Sequence, residues 1–279
     1  MKVSNLFLVS LLIGVMVGLV IIYTLPSTTS YSVVNYGDNG ISRLRESYKA
    51  LVITDLSASR DISPRDAVYL IIRLDNVTLS EAETVLRLVN EGGYVIFSGS
   101  WGAIESLSHY VKLNLTVTSS VIYDMIYNGG DRFHPLGFSN HCNCTLTTYT
   151  PYYVVTDENT DVVAYSSNFS YVDLNGNGYM DIDEPLGSFP LGVSLSYGGG
   201  RLILVFSPQV FTNELFEANK GFIDCLVGGR GLVIDQSEIK GDFIEYLRLV
   251  TITHEVTYPA LIFLVSLLCV VAYYVLKER

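Results

Sequence analysis

The sequence predicts an α/β fold: a mostly parallel sheet flanked by helices, with a β-rich second half, held between two transmembrane helices. Three observations predict it. Strand-like and helix-like runs alternate from residue 41 to residue 110, strand-like runs crowd residues 120–207, and long uncharged stretches stand at both ends. The chain is 49% hydrophobic and 16% charged, with a mean hydropathy of +0.35. So apolar a composition excludes a disordered chain. The net charge of -11, with no Lys/Arg cluster, excludes a nucleic-acid binder.

The first apolar stretch, residues 6–23 (LFLVSLLIGVMVGLVIIY), has 18 residues without a charge and is closed by Pro26. At 1.5 Å per residue it just crosses a bilayer core of ~30 Å. A secretory signal has a shorter apolar run and a small-x-small cleavage site. Tyr23, Thr24, Leu25 and Pro26 make a poor one, so residues 1–26 are expected to be an uncleaved anchor.

After a Ser/Thr linker, residues 32–35 read as a short β run and Asp38-Asn39-Gly40 as a turn. Ile41, Leu44 and Tyr48 then recur at helical spacing. Residues 51–54 (LVIT) read as a strand. Residues 67–74 (AVYLIIRL) read as a strand of a sheet buried on both faces, because the apolar run is nearly unbroken. In the next helix Ser80 and Glu83 suggest a capping box, Ala82, Val85, Leu86 and Val89 a buried stripe, and Gly92-Gly93 a stop. Residues 94–97 (YVIF) form a strand that leads through Ser98-Gly99-Ser100 into a helix over 101–110. This alternation implies a largely parallel sheet with helices on both faces.

Residues 120–123, 145–150, 152–156, 162–166, 191–197 and 201–206 are strand-like, and Gly198-Gly199-Gly200 joins the last two as a hairpin. A helix over 213–227 and a short strand over 232–235 follow. Phe243, Leu247 and Ile252 open a helical stalk, residues 237–257, that leads to the second apolar stretch. That stretch, residues 258–276 (YPALIFLVSLLCVVAYYVL), has interfacial Tyr residues and is followed by Lys277-Glu278-Arg279. Lys2 at one end and Lys277 and Arg279 at the other put both termini in the cytoplasm. Residues 27–236 are then the extracytoplasmic domain, and 258–279 the second span and its short tail. Setting aside Lys2, Lys277, Glu278 and Arg279 leaves 14 of the 17 basic and 27 of the 28 acidic residues outside, a net charge of -13. Such a body does not adhere to anionic headgroups.

Cys142, Cys144 and Cys225 lie in the exterior domain and Cys269 in the second span. Either Cys142 or Cys144 can pair with Cys225. A metal site using Cys142, Cys144, His134 and His141 is disfavoured, because zinc sites space their cysteines by two to four residues. Sequons at Asn76, Asn114, Asn143 and Asn168 permit surface glycosylation.

One chemical motif is sharp. Residues 173–184 read DLNGNGYMDIDE. Set against a calcium loop, Asp173, Asn175 and Asn177 take positions 1, 3 and 5, and Gly178 takes position 6, where the chain must turn sharply. The backbone carbonyl of Tyr179 serves position 7, Asp181 position 9 and the Glu184 carboxylate position 12. A hard cation wants six to eight oxygens, and a curled loop turns alternate residues inward to supply them. Residues before the loop are strand-like and Pro185 follows it. An isolated loop between strands is therefore expected, not a paired helical hand. Single exterior sites of this kind bind Ca²⁺ at ~10⁻⁴–10⁻³ M, which suits a structural staple.

Four segments carry a family resemblance: the helix after NYGDNG, the run LSEAETVLRLVNEGGYVIF, the DLNGNG loop, and GGGRLILVFSPQVFTNELFEANKGFI. In this order they resemble prokaryotic membrane proteins of unknown function with a class I glutamine-amidotransferase-like ectodomain, related to auxiliary proteins of gliding-type ABC transporters. The resemblance covers about residues 31–236. It implies a nucleophile on the strand-to-helix elbow, where this chain has Ser100 and no cysteine. The family's late His-Glu partner has no counterpart in place, since His254-Glu255 sits beside the second span. A serine needs an adjacent base to be nucleophilic, so Ser98–Gly102 reads as a structural turn. A second crevice, residues 207–213 with Trp101, follows a strand end, where open sheets bind ligands. A helix cap at Asn213 is its structural explanation.

These features lead to a membrane-anchored extracytoplasmic binding or scaffold domain, an accessory subunit of a transporter, with a structural Ca²⁺ site and no catalysis. The alternatives are a hydrolase or amidotransferase-like enzyme using Ser100, and a calcium-stabilised cell-surface structural protein.

Overall fold

The computed structural model describes residues 26–239, 241 and 243–253, and within the apolar ends residues 10, 11, 13–15, 17, 18, 266 and 273. Most of both expected spans, with His254-Glu255 and Cys269, lies outside the described residues. Among the described residues no helix is long and apolar enough to cross a membrane.

In chain order the elements are α1 (Ser42–Tyr48), β1 (Leu51–Ile53), β2 (Ala67–Arg73), α2 (Leu79–Asn90), β3 (Tyr94–Gly99), α3 (Trp101–Tyr110), β4 (Leu115–Asp124), β5 (Leu136–Ser139), β6 (Cys144–Thr147), β7 (Tyr152–Thr156), β8 (Asp161–Ser166), β9 (Ser170–Asp173), β10 (Leu186–Gly187), β11 (Pro190–Tyr197), β12 (Gly200–Val205), α4 (Phe216–Val227), β13 (Gly231–Asp235) and α5 (Phe243–Thr253). Nine strands form one sheet in the order β1-β13-β2-β3-β12-β11-β8-β5-β6, and four form a second in the order β10-β9-β4-β7.

The large sheet is mixed, which corrects the expectation of a mostly parallel one. From β1 to β12 every pairing is parallel. From β12 to β6 every pairing is antiparallel. The small sheet is antiparallel throughout. The reason is connectivity. Helical connections such as α2 between β2 and β3 and α4 between β12 and β13 return the chain to the same end of the sheet, as parallel strands need. The second half returns through short turns such as Tyr197–Gly200, which force antiparallel pairing.

Strand β2 accounts for its own sequence. Val68, Leu70 and Ile72 join the core cluster that includes Leu44, Phe222 and Leu249. Ala67, Tyr69 and Ile71 join the cluster that includes Val85, Leu88 and Leu107. Both faces are covered by helices, so both residue parities are apolar.

Four local expectations are revised. The capping box is Thr78 with Glu81, two residues before Ser80 and Glu83, and helix α2 begins correspondingly early. Its buried stripe is Ala82, Val85, Leu88 and Val89, while Leu86 is half-buried. Residues 32–35 form a turn, not a strand. Ser32 O accepts from both Asn35 N and Ile41 N, and Val33 N donates to the Gln236 side chain, so no ladder partner is left to seek. The stalk helix α5 does not stand clear of the body, because Leu249 is buried in the core.

Cys142 pairs with Cys225 across 83 residues and ties the β5–β6 turn to α4. Among the described residues Cys144 is the free thiol. Asn76, Asn114, Asn143 and Asn168 are all exposed.

Candidate metal centre and the Ser100 elbow

The loop 173–184 is an insertion between two strands, as expected. β9 ends at Asp173 and β10 starts at Leu186, with no helix on either side. Its two outermost carboxylates are buried, Asp173 at 3% and Glu184 at 8% exposure, although the loop is otherwise mostly exposed.

These carboxylates organise the backbone. Asp173 accepts from Gly176 N at 2.7 Å and Gly178 N at 2.8 Å. Asn175 Oδ1 accepts from Asn177 N, and Asn177 Oδ1 from Tyr179 N. Successive side chains thus curl the chain by bonding two to five residues ahead. Gly176 and Gly178 have φ of 75° and 74°, which glycine alone adopts without strain. Glu184 closes the far side, accepting from Leu174 N and Asp181 N. Asp181 draws in the amides of Asn175 at 2.7 Å and Asn177 at 2.8 Å, so the side chains of positions 3, 5 and 9 converge.

The loop is also braced from outside. Tyr171 Oη donates to Gly178 O, and the Arg132 guanidinium stacks on Tyr179 at 4.5 Å and on Phe133 at 5.0 Å. Burial, with the Asp173 charge beside them, raises the hydroxyl pKa of both Tyr123 and Tyr171.

The donor set suits Ca²⁺ in kind: oxygen only, carboxylates and amides, plus one backbone carbonyl. Among the described residues, however, no three His, Cys, Asp or Glu side chains are gathered closely enough to hold a metal ion. Asp173, Asp181 and Glu184 are engaged with N–H groups. Coordination by them requires Asp181 to exchange the two Asn amide nitrogens for the ion, and the Asn carboxamides to turn their oxygens inward.

Ser100 caps a helix. Its φ and ψ of -64° and 161° are ordinary extended backbone, and its Oγ accepts from Ala103 N at 3.1 Å. Histidines are engaged elsewhere. His134 bonds Asp131 at 2.8 Å, His141 bonds Arg201 at 3.0 Å, and His109 lies in the last turn of the helix that Ser100 starts.

The strand ends beside Ser100 are filled. Arg73 ends β2 and Asp235 ends β13, two parallel neighbours, and their side chains form a buried ion pair. Arg73 also bonds Glu81 at 2.8 Å and Ser237 at 3.2 Å, and its carbonyl accepts from Ser100 N. Burial raises the Glu81 carboxyl, but hydrogen bonds from Thr78 and Arg73 outweigh it and hold the group below the usual range. Sequence reasoning passed over this cluster, although AVYLIIR and LVID each close an apolar strand on a charge of opposite sign.

The second crevice is likewise occupied by the protein. Asn213 does not cap α4, which starts at Phe216. Its buried carboxamide donates to Asn35 O at 3.0 Å and Gly37 O at 2.7 Å, and accepts from Arg43 N at 2.9 Å. It holds the NYGDNG loop. Ser207 bonds both N and O of Tyr149. Trp101 remains 43% exposed.

Residues 37–223 match the model of a family described as a domain of unknown function (DUF4350). No curated protein matches the sequence. Among solved structures, the chain is similar to the mmIFT52 N-terminal domain, with 12% identity over 66% of this chain and 84% of that one and a TM-score of 0.48. It is similar to a beta-galactosidase from Bacillus circulans sp. alkalophilus, with 15% identity over 59% of this chain and a TM-score of 0.39, and spans 23% of that enzyme. A cytoplasmic protein from Salmonella typhimurium shows 13% identity over 62% of this chain and 74% of its own, at a TM-score of 0.34.

Proposed function

The chain belongs to the DUF4350 family of domains of unknown function, and from that premise we propose that it is a membrane-anchored extracytoplasmic scaffold or binding domain. In this reading it is an accessory subunit of an ABC transporter, related to the gliding-type auxiliary proteins with amidotransferase-like ectodomains, and its 173–184 loop is a structural Ca²⁺ staple. It has two spans and cytoplasmic termini, and acts by binding and not by catalysis.

The observation that carries the non-catalytic part is the state of the strand ends. Ser100 Oγ takes an N–H from its own helix, and the adjoining ends of β2 and β13 are plugged by Arg73 and Asp235. A nucleophile needs a base within hydrogen-bond reach; His134 and His141 bond other partners, and His109 lies in the last turn of the helix that Ser100 starts. Exposed Asn residues at all four sequons agree with an exterior domain. If Ca²⁺ binds, its charge offsets Asp173, Asp181, Asp183 and Glu184, which crowd one short loop.

Purification of the full chain from detergent-solubilised native membranes tests this reading. A transporter ATPase and permease are expected to copurify, and Ser100→Ala is expected to leave that assembly intact. Ammonia release from glutamine that disappears in Ser100→Ala would establish the enzymatic alternative instead.

A further inference from the structure

We infer that a cavity at the amino ends of β1, β2 and β13 binds a small zwitterion with an apolar side chain, a free apolar amino acid, whose carboxylate meets Lys49 and whose ammonium meets Asp66. The residues that line it lie between 48 and 233. The inference therefore stands apart from the membrane-anchored reading, and it holds whichever compartment the domain occupies.

The cavity measures about 250 Å³ and opens where Leu51, Ala67 and Gly231 begin their strands. It lies at the end of these strands opposite to the Arg73–Asp235 pair. Leu51 stands beside Val233, and Gly231 beside Ala67, in parallel register. Alternation along each strand puts all four on one face, the face on which Ile53, Ala67 and Val233 join the core cluster of Val85 and Leu107. Space remains there because two of the four residues are small. A Cβ on Gly231 would meet its nearest neighbour, Asp66 O, only at 3.7 Å. Ile62, from the connection between β1 and β2, adds an apolar wall. Tyr48 adds another, fixed by its hydroxyl, which donates to Asp224 of α4 at 2.5 Å.

Two opposite charges line the same cavity, Lys49 and Asp66. Lys49 follows α1 in the left-handed region, with φ of 47° and ψ of 45°, where glycine is the usual residue. The neighbouring cations are engaged: Lys220 pairs with Asp224, and Arg230 stacks on Tyr94 at 3.9 Å. Among the described residues the Lys49 ammonium has no ion pair and no hydrogen bond. Asp66 accepts one bond, from Ser63 Oγ to Oδ2 at 2.8 Å, and its Oδ1 accepts none among the described residues.

These features select a ligand class. The cavity is smaller than the ~300–1,000 Å³ that drug-sized ligands need, and its walls call for an apolar body. A plain anion meets Asp66 and a chain of net charge -11. A plain cation meets the unpaired Lys49. A zwitterion satisfies both groups at zero net charge. Lys49 and Asp66 are exposed, so each contact adds only a few-fold in affinity. Selectivity comes from making both at once.

Isothermal titration of the purified full chain tests this with three probes at pH 7. They are L-leucine, 4-methylpentanoate, which lacks the ammonium, and 3-methylbutylamine, which lacks the carboxylate. Leucine is expected to bind saturably and about three- to five-fold more tightly than either of the others. Lys49→Met is expected to bring leucine down to the level of the amine without weakening the amine. Asp66→Asn is expected to bring leucine down to the level of the acid without weakening the acid. Both positions are exposed, so both variants are expected to fold as the wild type does. Gly231→Val, which places a side chain on the cavity face, is expected to weaken all three probes. Absence of saturable leucine binding overturns the inference. Equal affinity for the three probes also overturns it, since the cavity would then be apolar without charge selection. Leucine binding unchanged in Lys49→Met, Asp66→Asn or Gly231→Val places the ligand elsewhere and overturns it too.

Discussion

The guanidinium of Arg73 and the carboxylate of Asp235 meet in a buried ion pair at the C-terminal ends of two adjacent parallel strands, with side-chain exposures of 3% and 1%. Open α/β sheets bind their ligands just outside such strand ends. Here Glu81 and Ser237 complete the cluster, and the space is used for structure.

Breaking that pair leaves a charge buried without its partner. Arg73→Met is expected to destabilise the domain by about 3–5 kcal/mol, measured by urea unfolding of the purified domain. A double variant, Arg73→Met with Asp235→Leu, is expected to recover most of that loss, since it removes the fully buried carboxylate and leaves only the partly exposed Glu81, which Thr78 still bonds. A single variant that unfolds like wild type would show that water already reaches the site.

The depressed Glu81 carboxyl makes part of this stability pH-dependent. Its pKa is lower folded than unfolded, so its contribution is present above the unfolded value and lost as pH falls through the folded one. Glu81→Gln is expected to be less stable than wild type at pH 7, and the gap is expected to close in strongly acidic solution. Melting curves across that range check it, and a constant gap would contradict it.

The Cys142–Cys225 bridge closes a long loop. Removing such a bridge typically costs ~2–5 kcal/mol. Cys142→Ser and Cys225→Ser are each expected to lower the melting temperature strongly, whereas Cys144→Ser is expected to change it little. Equal losses from all three substitutions would mean that the bridge shuffles.

Calcium is expected to raise the melting temperature of the domain, since a ligand that binds only the folded state adds ~2.7 kcal/mol at 100-fold excess over its Kd. Glu184→Gln, which removes the closing carboxylate, is expected to abolish most of the shift. Asp183→Asn, outside the ligand pattern, is expected to keep it. Mg²⁺ is expected to substitute poorly, because its octahedral shell is smaller and dehydrates reluctantly. Neither heat nor a melting shift up to several millimolar Ca²⁺ would mark the loop as a turn only.

Asn213→Ala is expected to destabilise the domain by about 1–3 kcal/mol, because it strands the buried carbonyl of Asn35 and removes the bond to Gly37 O. Urea unfolding measures this. A small effect would show that the NYGDNG loop holds itself.

By itself the sequence determined what local chemistry determines. Apolar parity marked β2 as covered on both faces, Gly198-Gly199-Gly200 marked a hairpin, and the Asp, Asn and Gly spacing marked a curled loop between strands. Each of these signals lies within a dozen residues, where side-chain period and backbone preference act directly. The Thr78–Glu81 box was misplaced by two residues because Ser80 and Glu83 offer the same pattern, and the reciprocal bonds of Thr78 and Glu81 fix the frame. Tertiary structure alone decided the rest. Parallel and antiparallel halves share one sheet because strand order depends on crossovers far apart in sequence. Cys225 pairs with Cys142, at a Cα separation of 5.7 Å, a proximity that only the folded chain creates across 83 residues. Arg73, Asp235, Asn213 and Gln236 join segments more than 150 residues apart. No local pattern announces such bonds, because a polar side chain finds its partner only after the apolar faces have brought the two segments together.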